Sequence, residues 1–106
     1  MSGSGDGGWD RQPKDDCATL TEFTTLNSPN QAVLRKLKKG DVLEITVRQA
    51  GKAVIVEALY QGEVAGTITS SIIQRLAECM EKGFKYVAEV REEVKGGACK
   101  VHVRVK

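Results

Sequence analysis

The residues of this chain that could do chemistry are few. They are Cys17, Cys79 and Cys99, the single histidine His102, the acidic pair Glu44 and Glu57, and the hydroxyl run Thr69-Ser70-Ser71. A tetrahedral zinc needs about four ligands, so all three cysteines would have to gather with His102, and no Cys-x-x-Cys pair brings two of them together. Read plainly, the three cysteines are free thiols, used as small apolar residues in a reducing cytoplasm. A serine nucleophile needs a base, and only His102 is on offer. The glycines lie in turns and near the N-terminus rather than in a phosphate loop, and no Gly-x-Ser-x-Gly elbow occurs. The expectation is therefore no catalysis, no metal and no cofactor.

The elements that must position these residues can be read from periodicity. Residues 1–16, with Gly3, Gly5, Gly7 and Gly8 and charges of both signs, have almost nothing to bury and read as a disordered tail. Trp9 is its one large apolar side chain. It can anchor a partner, fold back on the domain or do neither. The remainder, 17–106, reads as a single domain with one modest core. Its hydrophobic fraction is 41% but its aromatic fraction only 5%, so that core must be aliphatic.

Cys17 to Thr25 is rich in threonine and alternates loosely, which suits a strand at the edge of a sheet. Asn27 or Ser28 then offers an N-cap and Pro29 a first helical residue. This predicts a short helix over 29–39 that ends in Lys36, Lys38 and Lys39 before Gly40. Residues 41–49 alternate, with Leu43, Ile45 and Val47 on one face. A turn at Ala50-Gly51 pairs them with 52–60 and sets Glu44 opposite Glu57, an acid–acid contact that Arg48 or Lys52 could relieve. Gln61-Gly62 closes the next hairpin, and Ala58, Ala65 and Gly66 mark a place where another backbone comes close.

The spacing of Ile72, Ile73, Leu76, Ala77 and Met80 predicts the main helix over 70–82, capped by Thr69, Ser70 or Ser71 and stopped by Gly83. A Gly96-Gly97 turn then pairs residues so that Glu93, Arg91 and Glu89 face Lys100, His102 and Arg104. That ladder neutralises the one basic row in the chain.

From Lys52 onward the order of elements resembles the HIRAN domain, a small β-barrel-like module often joined to helicase and nuclease regions. The likeness rests on Ala53-Val-Ile-Val56, on Glu63-Val-Ala-Gly-Thr-Ile68, on the helix after Ser70, and on closing strands over 84–91 and 99–105. It covers about half of the chain. The Asp-x-Asn-Ala-like run of that family is replaced here by Gln49-Ala-Gly-Lys-Ala53. The resemblance implies grip on a single-stranded nucleic-acid end, with Arg48 and Tyr60 at the matching basic and aromatic positions. Residues 17–40 are similar in style to small bacterial proteins without an assigned role.

These readings give an α+β domain: a mostly antiparallel sheet of five or six strands, curled toward a barrel, with a main helix and a short one. Two functions fit it. One is a non-enzymatic binding module for protein partners or self-association, through the 17–25 edge strand or the tail. The other is a weak binder of single-stranded nucleic acid using Arg48, Lys52, Tyr60, Thr69, Ser70 and Ser71, with Lys36, Lys38 and Lys39 nearby. The net charge of +2 leaves little electrostatic drive for the second. No apolar run approaches the roughly 18 residues of a membrane span, and a cytoplasmic protein is expected.

Overall fold

The computed structural model describes residues 17–106, so the proposed tail and Trp9 lie outside the described residues. Six strands, β1 (Glu22–Thr25), β2 (Val42–Ala50), β3 (Ala53–Tyr60), β4 (Glu63–Ile68), β5 (Tyr86–Val90) and β6 (Lys100–Val105), form one antiparallel sheet. Its order is β1-β6-β5-β2-β3-β4, and it curls into a half-barrel. A helical turn at 17–19 precedes β1, and two further helices, α1 (Gln31–Leu34) and α2 (Ile73–Glu81), follow it in the chain. This is the α+β architecture that the apolar periodicity predicts. Among the described residues no helix is long and apolar enough to cross a membrane.

The curl is nearly closed by one short splice. Leu26 N–H still donates to Cys99 O on the β6 side, whereas Asn27 exchanges bonds of 2.8 and 2.9 Å with Thr67 of β4. Asn30 N–H adds a bond to Ala65 O. The chain leaving β1 thus changes partner from one edge of the sheet to the other. Gly66 makes room for it. A Cβ there would lie 3.0 Å from Leu26 Cβ and 3.1 Å from Asn27 O, which is why small residues gather at this point. A bulge between Ala58 and Leu59 sets Ala58 opposite Gly66 rather than Ala65.

The concave face holds the core, with Leu43, Ile45, Val56, Ala58, Ile68, Val90, Val101 and Val103 buried. α2 covers it with Leu76 and Cys79 buried and Ile73 and Met80 packed on the cluster. The helix starts at Ile73, three residues later than the pattern predicts, because 70–72 form a bend and turn in which Ile73 N–H donates to Ser70 O. Ile72 is the N-cap and makes no side-chain capping bond. The end follows expectation: Gly83 (φ 104°) and Phe84 donate to Met80 O and Cys79 O in a Schellman arrangement.

α1 is only four residues long, against the eleven positions of 29–39. Its cap is Asn30, whose Oδ1 accepts from Ala32 N–H at 3.0 Å, so Pro29 precedes the helix instead of opening it. The three lysines fall beyond its last turn. The edge strand is shorter too: 17–19 are helical, and pairing begins at Glu22.

Candidate functional site

The six residues expected to grip nucleic acid do not share a surface. Arg48 stands opposite Ile55, on the convex face, whereas Tyr60 lies five residues further along β3 and therefore on the concave face, packed against the core. Lys52, in the turn before β3, sits about 25 Å from Tyr60 along the strand. Val56 pairs with Ile68, so Thr69 falls in line with Ile55 and Arg48. Thr69 and Ser71 are exposed, while Ser70 Oγ is buried without a hydrogen-bond partner. Lys36 is tied to Glu63 at 2.7 Å.

The acid–acid contact of Glu44 and Glu57 is not formed. The β2–β3 turn falls at Gly51-Lys52, one residue later than Ala50-Gly51, which shifts the register by two. Glu44 then faces Leu59, and Glu57 faces Thr46 and meets Arg48 Nε at 3.4 Å. The side chains keep their faces because strand alternation has period two.

A similar slip occurs in the last hairpin. Lys95 pairs with Ala98 around Gly96-Gly97 as expected, but 91–94 hold two more residues than the facing segment. Glu89 therefore faces His102, and Arg104 faces Val87. The charges still neutralise one another: Glu89 meets Arg104 at 3.5 Å and Arg91 at 3.7 Å, and Lys100 meets Glu92 at 3.8 Å.

The cysteines are where the structure departs furthest from the sequence reading. Cys17 and Cys79 form a disulfide that pins the helical turn at 17–19 to α2. Both are buried, and Tyr86 Oη donates to Cys17 O beside them. Burial raises the Tyr86 hydroxyl above its ordinary pKa, against a smaller opposing pull from Arg75, so it remains the donor. Cys99 alone is free, and burial pushes its thiol up, away from the reactive thiolate. The expectation of three free thiols is corrected to one.

A different surface emerges on the convex face at β1. Phe23 is 65% exposed and lies flat against the ring of His102, with centroids 4.2 Å apart and planes 4° from parallel. The Arg91 guanidinium sits 5.9 Å from the Phe23 centroid. Thr21 holds the His102 ring at its Nε2 edge. Its hydroxyl donates to Val103 O at 3.0 Å, so its oxygen is left to accept from His102 Nε2–H. Phe23, Thr25, Arg91, Glu92 and Lys100 rim a shallow hollow of about 310 Å³.

Among the described residues, the other two exposed large apolar side chains, Val42 and Val64, lie on the same convex face. Phe23, His102, Glu89 and Val42 make one row across four strands; Arg104, Val87, Glu44, Leu59 and Val64 make the next. Sequence reasoning places Phe23 in an edge strand but gives it no role. The missing signal is the pairing of 23 with 102, which no local pattern encodes.

No known protein family matches the chain, and neither does any characterised protein or solved structure.

Proposed function

We propose that this chain is a non-enzymatic binding module that takes a protein partner along β1, at the open edge of that strand and on the convex face beside it, with Phe23 as the anchor. The observation that carries this reading is an aromatic ring that is 65% exposed yet held in place by His102, Arg91 and Thr21. A large side chain already fixed in position loses little entropy on binding, which is what interface anchors share. The cations around it are largely paired with carboxylates, so the patch offers little to a polyanion.

The disulfide bears on where this happens. A buried Cys17–Cys79 bond favours an oxidising compartment over the reducing cytoplasm that free thiols would suit.

A displayed library of random peptides, selected against the full chain, tests the reading. Selected binders should lose at least about tenfold in affinity with Phe23→Ala. Because the ring is mostly exposed, that variant keeps its stability to within about 0.5 kcal/mol. Binders indifferent to Phe23→Ala would contradict the proposal. So would localised amide shifts at 48–71 on adding single-stranded DNA, which would put the nucleic-acid reading in its place.

A further inference from the structure

The edge of β1 has a specific length and direction, and together they select an occupant. Leu26 donates to Cys99 O, so in the alternating antiparallel ladder residues 22, 24 and 26 bond to β6. The N–H and C=O groups of Phe23 and Thr25 therefore point the other way, as those of Asn27 do. Asn27 is already paired with Thr67, which ends the open stretch.

We infer that a second copy of the chain fills this stretch, by antiparallel pairing of β1 with β1 about a two-fold axis at Thr24. The inference rests on the reading of β1 as a binding edge. In this register Phe23 faces Thr25 of the second copy, and Thr25 faces Phe23 of the second copy. All the outward N–H and C=O groups of both residues are then used. The incoming strand must stop there, because its next outward position, Thr21, would fall beside Asn27, where Thr67 sits. β1 meets that condition. Its pairing begins at Glu22, and the chain before it turns away through Leu20, which packs on the core, into the helical turn at 17–19. A longer peptide strand would run into β4.

The faces agree as well. Pairing keeps both Phe23 rings on the convex side as diagonal neighbours at about 7–8 Å, within reach of aromatic contact. A two-fold interface must be complementary to itself. The nearby 91–100 loop interleaves Arg91, Lys95 and Lys100 with Glu92 and Glu93, so the rim carries both signs.

Sedimentation velocity on the full chain, from about 10 µM to about 1 mM, reads the result directly. The wild type should pass from monomer to dimer. Phe23→Glu and Thr25→Pro should each weaken association by at least about tenfold. Thr25→Pro removes an N–H that the β1–β6 ladder does not use, so the monomer keeps its fold. A wild type that stays monomeric, or a dimer that both variants leave intact, overturns the inference. Hydrogen exchange on the dilute monomer separates this failure from a wider one. Fast Phe23 and Thr25 amides keep β1 as a binding edge for another protein, whereas protected ones remove both readings.

Discussion

Replacing Cys17 and Cys79 together with serine should lower the stability of the domain by about 4 kcal/mol. The bond closes a loop with a sequence separation of 62. Cross-linking so long a loop removes many conformations from the unfolded chain, which is the main source of a disulfide's effect in the chain-entropy account. For a small domain with a total of about 5–15 kcal/mol, this is a large share. Urea unfolding without reductant measures it, and adding reductant to the wild type should give a similar loss. Thiol titration of the unfolded, unreduced chain should find Cys99 alone. An unfolding midpoint that neither the double substitution nor reductant moves would show that the 17–19 turn is held by packing alone.

Leu76→Ala should cost about 3 kcal/mol. Leu76 is fully buried at the centre of the stripe that α2 lays on the concave face, next to the disulfide-bonded Cys79. Truncation there loses the transfer energy of the side chain and leaves a hollow between a rigid sheet and a cross-linked helix that cannot readily close. Gln74→Ala, on the exposed side of the same helix, should stay within about 0.5 kcal/mol. Comparable losses at both positions in urea unfolding would contradict the placement of the helix.

Local pattern made much of this architecture legible. The apolar residues Leu43, Ile45, Val56 and Ala58 are assigned to one face by alternation alone, and the two-residue slip in the β2–β3 hairpin leaves that assignment untouched. What the slip changes is which residues meet. A turn displaced by one position turned an apparent Glu44–Glu57 contact into an Arg48–Glu57 ion pair. Helix ends were harder, because Asn30 outcompetes Asn27 and Ser28 as a cap and the lysines follow a helix of four residues.

The contacts that set the candidate site and the frame around it are all non-local. Phe23 meets His102, Asn27 meets Thr67 and Cys17 meets Cys79 only once the sheet has curled. Spacing along the chain says nothing about such pairs. Phe23 in particular looks like one more residue of a threonine-rich strand until the partner strand is known.

The most direct test is hydrogen exchange of the β1 amides in dilute protein, where the chain is monomeric. Leu26, Asn27 and Thr67 donate to Cys99, Thr67 and Asn27 carbonyls, so their amides should be protected. Phe23 and Thr25 should exchange quickly, marking an edge left open for a partner. Protection of Phe23 and Thr25 equal to that of Asn27 in the monomer would mean the edge is covered from within, and the binding role assigned to β1 would be wrong.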